Sequence, residues 1–461
     1  MSQRRPKSKR PKRGANPKPS IELTPEASAA LKLFEETAQH VFLTGRAGTG
    51  KSTLLQHFRD HTRKRLAILA PTGVAAVNVK GQTIHSFFGF GPGITPEKAS
   101  RRATAKKQLY RNLQTIVIDE ISMVRADLLD CIDTFLRLNG PRTREPFGGV
   151  QMILIGDLYQ LPPVVQADEE ELFTTHYASP FFFDAKAFQQ TAFDVVQLTK
   201  VYRQRDAVFV NLLDAVRTAT LDRQQLATLN ARHNADLTGI DREQYVGLVT
   251  TNAMADRINA LHLDRIDQPA YAFTGHVSGT FNRPQLPTDE TLRLKAGARI
   301  MMLNNEPRGN WVNGTLGKVT AIDDRDEAIS IRVELESGYA GKIQPYTWES
   351  IRYTFNPRTQ QIESEVMGSF TQYPLRLAWG STIHKAQGKT FDRVVVDLGR
   401  GTFAPGQAYV ALSRCRTLEG LVLRKPLQPE HVKIDPRVQS FFEHVHTRCK
   451  PAPSCLSPSG C

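Results

Sequence analysis

HVFLTGRAGTGKSTLLQHF, residues 40–58, decides the fold. The short apolar run from His40 to Thr44 reads as a strand buried on both faces. A glycine-rich turn follows, and then the start of a helix. GRAGTGKS at 45–52 matches G-x-x-x-x-G-K-[ST] in full. Glycines let backbone N–H groups curl round a phosphate where a side chain would block approach. The helix opening at Ser52-Thr53-Leu54 points its positive dipole end at the same anion. Gly45, Arg46, Ala47, Gly48, Thr49, Gly50, Lys51, Ser52 and Thr53 are therefore expected round ATP. In this pattern Lys51 reaches the β- and γ-phosphates and the Ser52 hydroxyl binds Mg²⁺. A fortuitous glycine-rich turn would not explain the strand before it and the helix after it.

Similar apolar runs lie on either side of helical stretches: RLAILAPT (65–72), TIVIDE (115–120) and MILIGD (152–157). Strand–helix alternation argues a parallel α/β sheet. A second set, FDVVQLT (193–199), YVGLVTT (245–251) and RVVVDLG (393–399), argues another α/β domain. Between its last two members the texture changes. AISIRVEL (328–335) alternates apolar and polar residues, as a half-buried antiparallel strand does, and glycine-rich turns flank it. The fold class is thus α/β, with two parallel-sheet P-loop-type domains and a small β-barrel inserted in the second. The expected boundaries are a disordered basic arm (1–20), domain 1 (21–192), domain 2 (193–289 and 374–430), the barrel (290–373), and a C-terminal helix with a flexible tail (431–461). Gly81-Gln82-Thr83-Ile84-His85 and Gly380-Ser381-Thr382-Ile383-His384 echo each other, one in each half.

IVIDE at 116–120 delivers two carboxylates to one sheet edge. Asp119 is the expected Mg²⁺ ligand, and Glu120 the general base facing the attacking water. A helix cap would explain the acids but not the buried strand that carries them. Ligands bind at the C-terminal ends of strands in open α/β sheets, and Thr72, Asp119 and Asp157 fall at such ends. Gln160 in GDLYQLPPV (156–164) is a candidate sensor of the γ-phosphate or the lytic water. P-loop sites also need a cation at the transferring phosphoryl group. Arg203 in KVYRQ and Arg414 in GQAYVALSRCR are the candidates, and each would otherwise be a surface or ion-pair arginine. If both enter the cleft between the domains, nucleotide binding and hydrolysis close and open it.

The series GRAGTGKST, APTGVAA, GQTIHSFFGF, IVIDEISMV, GDLYQLPPV, VYRQ, GSTIHKAQGKTFDRV and GQAYVALSRCR resembles the Pif/RecD branch of superfamily 1 DNA helicases, and the Pif subgroup more than RecD itself. The match runs from about residue 23 to 425. The resemblance implies two RecA-like domains sharing one ATP and an SH3-like barrel. It also implies 5′→3′ travel on single-stranded DNA, a preference for 5′-tailed duplex, and roles in DNA repair, recombination or replication. A small wedge would lie within residues 87–112. Thr72, Thr83, His85 and Phe88 would meet DNA from the first domain, and Thr382 and His384 from the second. Phe87 is assigned to the core instead. Gly388 would approach the γ-phosphate. One departure bears on nucleotide choice: LTPEASAAL (23–31) has Ala27 where the family often carries an adenine-reading glutamine.

The 461 residues carry a net charge of +14, of which eight positive charges sit in the first 20 residues with no acid among them. Such an arm binds phosphate backbones without reading sequence, or serves as a cellular address. No apolar run approaches the roughly 20 residues of a membrane span, nor is there a secretory leader, so the chain is expected inside a cell, in the cytoplasm or, in a eukaryote, the nucleus. Cys131 and Cys415 stand singly, and Cys449, Cys455 and Cys461 lie in a Pro/Ser-rich tail, a poor disulfide or zinc pattern. A monomer is expected. Two other functional classes compete: a translocase that remodels DNA or nucleoprotein without separating strands, and a nucleic-acid binder with a relic ATP site. Lys51, Asp119, Glu120, Gln160, Arg203 and Arg414, all intact, argue against the relic.

Overall fold

The computed structural model describes residues 23–448, apart from 92, 104–105, 166–172, 174, 205, 234–244, 282–285, 324–329 and 400. The basic arm and the three tail cysteines lie outside the described residues. Cys131 and Cys415 are buried and free.

The first body starts with α1 (Pro25–Glu36), capped by Thr24, whose hydroxyl accepts from the Ala27 N–H. Then come β1 (His40–Gly45), α2 (Lys51–His61), β2 (Leu66–Ala70), α3 (Gly73–Asn78), β3 (Gln82–Thr83), α4 (Ile84–Phe88), α5 (Pro96–Ala99), α6 (Lys107–Asn112), β4 (Thr115–Ile118), α7 (Ala126–Asn139), β5 (Gln151–Ile155), α8 (Lys186–Gln189) and β6 (Phe193–Leu198). The six strands form one parallel sheet in the order β3-β2-β4-β5-β1-β6. The four inner strands, β2, β4, β5 and β1, are buried on both faces, which is why they read as unbroken apolar runs. Val41 and Leu43 pack against Phe34 and Phe58 of α1 and α2 on one face. Phe42, between them in sequence, points to the opposite layer with Phe135 and Phe182. Burying a side chain of this kind contributes about 1.5–3 kcal/mol.

The expected boundary at residue 193 is corrected here. Phe193–Leu198 pairs in parallel with His40–Gly45 along six residues and closes the first sheet. A strand's composition does not say which sheet it joins; only the partner ladder does.

The second body holds α9 (Ala207–Thr218), α10 (Arg223–Asn230), β7 (Val246–Val249) and α11 (Asn252–Asp264) before the chain enters an antiparallel region. That region comprises β8 (Ala270–Thr274), β9 (His276–Gly279), β10 (Thr291–Lys295), β11 (Arg299–Met302), β12 (Leu316–Asp323), β13 (Ser330–Leu335), β14 (Ala340–Ile343), β15 (Tyr346–Asn356), β16 (Gln361–Gln372) and β17 (Leu375–Leu377). The chain then returns to β18 (Gly380–Thr382), β19 (Val394–Asp397), α12 (Gln407–Leu412) and β20 (Leu421–Leu423). These last strands join β7 in a parallel sheet, β18-β7-β19-β20.

The antiparallel region differs from the single unit expected at 290–373. It begins at Ala270 and ends at Leu377, and contains three sheets. Five strands, β14-β13-β12-β11-β17, share a core with β8 and β10, built on Ile300, Val319, Val333 and Trp379. Ile331, Val333 and Leu335 alternate inward along β13, the pattern seen in its sequence. The long hairpin β15–β16 pairs with β9 instead and reaches the first body. There Tyr353 sits in the first core, its hydroxyl accepting from the Ile68 N–H (3.3 Å) while its own N–H donates to Gln82 Oε1 (3.3 Å). The final helix, α13 (Pro436–Arg448), also returns to the first body, where Val438 and Phe442 join its core. Among the described residues no helix is long and apolar enough to cross a membrane.

Candidate nucleotide site and the loops beside it

The loop from Gly45 to Gly50 joins β1 to α2. Gly48 has φ +82°, and a β-carbon there would fall 2.4 Å from that of Arg203. Glycine therefore lets the segment before α9 seat directly on the loop, and the Tyr202 N–H donates to Gly48 O at 2.8 Å. The Tyr202 ring, 47% exposed, stands beside Gly50. Lys51 Nζ donates to Gly45 O (2.7 Å) and Arg46 O (3.0 Å). Burial lowers its pKa, against the pull of Asp157 and Glu120. Ser52 and Thr53 are exposed in the first turn of α2.

Asp119 and Glu120 follow β4. Burial, and then the neighbouring Glu120, push Asp119 up to about 7. Burial also raises Glu120, which Lys51 and Arg414 partly offset. Glu120 lies in the left-handed region at φ +53°, an uncommon conformation for a residue with a β-carbon and one that clusters at functional sites. A buried carboxylate next to a half-buried one is costly, and a divalent cation beside Asp119 would relieve that cost. Asp119 and the Ser52 hydroxyl are hard oxygen donors of the kind Mg²⁺ takes together with phosphate oxygens. The residues present fit such an ion.

The second body approaches from across the loop. Arg414 is 1% exposed; its guanidinium donates to Val410 O (2.9 Å), Ser413 Oγ (2.8 Å) and Lys389 O (3.3 Å). Burial, and then the like charge of Arg203, push it down to about 9. Arg203 donates to Ser413 O at 3.3 Å and is itself lowered by burial, with Glu120 acting the other way. A buried and a half-buried guanidinium that repel each other, beside a half-buried lysine, form a receptor suited to a polyanion.

Four residues of this site went unassigned at the sequence level. Gln387 donates from one amide to both Glu120 Oε2 (3.2 Å) and Gln160 Oε1 (3.3 Å), so the second body touches the candidate base and the candidate sensor together. It lies in KAQGK, beside Gly388, which has φ +77°. Asp157, wholly buried, accepts from Gln160 Nε2 (3.2 Å), the Tyr409 hydroxyl (3.3 Å) and Arg217 (3.4 Å). The Tyr409 hydroxyl in turn accepts from the Ala47 N–H at 2.8 Å, tying the phosphate loop to α12. Asp157 and Tyr409 stand in stretches already singled out. Arg217, in the last turn of α9, has no motif to mark it.

The residues expected at DNA are spread along the C-terminal edges of the two sheets. The Thr72 hydroxyl accepts from the Ala75 N–H and caps α3; that of Thr83 accepts from the Ser86 N–H and caps α4. His85 is half-buried, and its pKa is lowered by burial and then by Arg125. Thr382 is 4% exposed and its hydroxyl accepts from the Lys385 N–H, so it offers little surface. His384 is half-buried, and its ring lies 6.4 Å from that of Phe403, nearly parallel at 12°. Phe403 is 64% exposed and was missed, since nothing in its immediate sequence marks an aromatic as unburied. The expectation for Phe88 is corrected. It is 3% exposed and packs on Phe87, Phe90, Tyr110 and Phe135, which leaves no ring face for a base. Phe87 is fully buried in the same cluster.

Comparison with known proteins adds an independent line. Residues 26–225 match the PIF1-like helicase family. The chain is similar to the ATP-dependent DNA helicase Pif1 of Bdellovibrio bacteriovorus, 33% identical over 93% of this chain and 94% of that protein. It is 34% identical to the ATP-dependent DNA helicase PIF1 of Emericella nidulans over 90% of this chain, but spans only 62% of that longer protein. Pif1 from Bacteroides sp. in complex with ADP-AlF4 superposes with a TM-score of 0.85 at 37% identity, covering 93% of this chain and 98% of that one. The unliganded form of the Bacteroides protein gives 0.83, and the form bound to single-stranded DNA 0.68. With near-complete mutual coverage of a relative above 30% identity, the chain belongs to the PIF1-like helicase family of ATP-dependent DNA helicases.

Proposed function

We propose that this chain is a motor that spends ATP to move 5′→3′ on single-stranded DNA and to separate the duplex ahead. One observation carries the reading: Gln387 of the second body reaches Glu120, and Tyr409 of the second body reaches the phosphate loop of the first. A nucleotide held there is gripped by both bodies, so its hydrolysis changes how they sit together. We read the two parallel-sheet bodies as RecA-like, the core shared by β8, β10 to β14 and β17 as an SH3-like barrel, and α5 and α6 as the wedge.

Each residue then has a role. Lys51, Arg203 and Arg414 stabilise charge on the transferring phosphoryl group. Glu120 takes the proton of the attacking water, and Gln160 and Gln387 orient that water. Mg²⁺, held by Asp119 and Ser52, would neutralise phosphate charge when bound. The exposed ring of Tyr202 supplies a stacking face for the base, which requires no adenine-specific glutamine. His384 and Phe403 form a stacking platform for DNA bases, while the N–H groups near Thr72 and Thr83 meet phosphates. The lower TM-score to the DNA-bound Bacteroides form supports a rearrangement on DNA.

Hydrolysis measured with and without single-stranded DNA, alongside strand displacement on 5′-tailed and 3′-tailed duplexes, tests the reading. The expected result is DNA-stimulated turnover, unwinding of the 5′-tailed substrate only, no turnover in Lys51→Ala, and nucleotide binding without turnover in Glu120→Gln. DNA-stimulated turnover without unwinding of either substrate would instead identify a remodelling translocase. Full turnover in Lys51→Ala would overturn the site.

A further inference from the structure

The loop carrying Asp157 and Gln160 is held from three sides by elements remote in sequence. On one side Gly406, φ +71°, lies so close that a β-carbon there would fall 2.4 Å from Gln160 O and 2.5 Å from Tyr159 O. On another, the Arg217 guanidinium of α9 lies 4.0 Å from the centre of the Tyr159 ring while pairing with Asp157 at 3.4 Å. On the third, Phe442 of α13 stacks on the same Tyr159 ring, 5.3 Å between centres at an angle of 7°. The helix is anchored from the next residue back: Phe441 stacks on Phe183 at 4.7 Å and reaches Phe42 of β1. Tyr159 is thus shared between the cores of both bodies.

We propose that Tyr159 is a positioning residue for hydrolysis, and that the C-terminal helix works through it by holding the Asp157–Gln160 loop in register with Arg217. An aromatic ring is rigid, prefers offset stacking, and attracts a guanidinium over its face. Phe442, Tyr159, Arg217 and Asp157 therefore form a continuous chain of contacts running from the last helix to Gln160, which accepts from Gln387 of the second body. A bulky aliphatic side chain would fill the space but could not bind Arg217 by its face, leaving the guanidinium free to drift from Asp157. The inference rests on the hydrolytic reading above, so its test includes a readout that needs no hydrolysis.

The full chain is compared with Tyr159→Phe, Tyr159→Leu and Phe442→Leu. For DNA-stimulated hydrolysis, Tyr159→Phe is expected to keep kcat within about twofold, while Tyr159→Leu lowers kcat about 10-fold with KM for ATP unchanged. Phe442→Leu should lower kcat about threefold, and the double leucine variant no further than Tyr159→Leu alone, because the two rings act as one unit. Independently, amide hydrogen exchange across 157–161 in nucleotide-free protein should speed up about fivefold in Phe442→Leu while exchange in β5 stays unchanged. Wild-type kcat in Tyr159→Leu, equal losses in Tyr159→Phe and Tyr159→Leu, or unaltered exchange at 157–161 in Phe442→Leu would each overturn the proposal. Absence of DNA-stimulated hydrolysis in the wild-type chain with altered exchange in Phe442→Leu would instead strike the reading of the site and leave the positioning stack standing.

Discussion

Gly81-Gln82-Thr83-Ile84-His85 and Gly380-Ser381-Thr382-Ile383-His384 start alike and end differently. Each forms a short edge strand paired in parallel with its neighbour, Thr83 opposite Ala70 and Thr382 opposite Val249. In each, the threonine hydroxyl accepts from the N–H three residues on, and the isoleucine is fully buried. Beyond the histidine they part. The first continues into α4 and sends Phe87 and Phe88 into an aromatic core. The second makes a turn, sends Gln387 to Glu120 and Gln160, and exposes Gly388. Local cap chemistry sets how a chain leaves a strand; what the loop then faces depends on where its sheet sits.

The sharpest way to break this contrast is at the two positions where the loops diverge. Phe88→Ala should cost about 3–5 kcal/mol of stability, the usual cost of a large aromatic deleted from a core, seen as a large drop in Tm. A variant with wild-type Tm but weakened single-stranded DNA binding would return Phe88 to the DNA interface. Gln387→Ala, by contrast, should leave Tm near wild type and lower kcat about 100-fold, as loss of a donor beside the reacting phosphate does. A kcat within twofold of wild type would show that the second loop does not serve the nucleotide.

Where the loops agree, their variants should agree too. Thr83→Val and Thr382→Val each remove a capping hydroxyl, and each should cost about 1 kcal/mol in urea unfolding. A cost at Thr382 several times that at Thr83 would mean its hydroxyl does more than cap. The smallest effect concerns the two histidines. Burial lowers both imidazoles below the ordinary 6.5, with Arg125 adding to the shift at His85. A depressed folded pKa gives stability that is complete above pH 6.5 and lost as pH falls through the folded value. Scans of Tm between pH 7 and 5 should therefore be flattened by roughly 1–2 °C in His85→Asn and in His384→Asn. An unchanged slope in either would place that imidazole in water.

The phosphate loop, the paired acids and the motif arginines were legible because each is a run of a few residues whose chemistry is local. Glycines, a lysine and a hydroxyl at fixed spacing specify a turn with its N–H groups inward, whatever surrounds them. Unbroken apolar runs likewise specified a sheet covered on both faces, and alternation specified β13. Partnership was not legible. Phe193–Leu198 looks like any short strand, and only its ladder with β1 assigns it to the first sheet. Gln387 stood in view between Ala386 and Gly388, yet its target is 267 residues away.

By itself, then, the sequence determined a glycine-rich loop between a strand and a helix, of the kind expected to hold a nucleotide, and that parallel sheets carry it, since both follow from neighbouring residues. Tertiary structure alone decided that Tyr409 meets Ala47 across 362 residues, that Arg217 enters the site from the last turn of a helix, and that the last helix folds back onto the first body. The physical reason is that close packing and the pairing of buried charges are satisfied in space, by whichever residues the topology brings together.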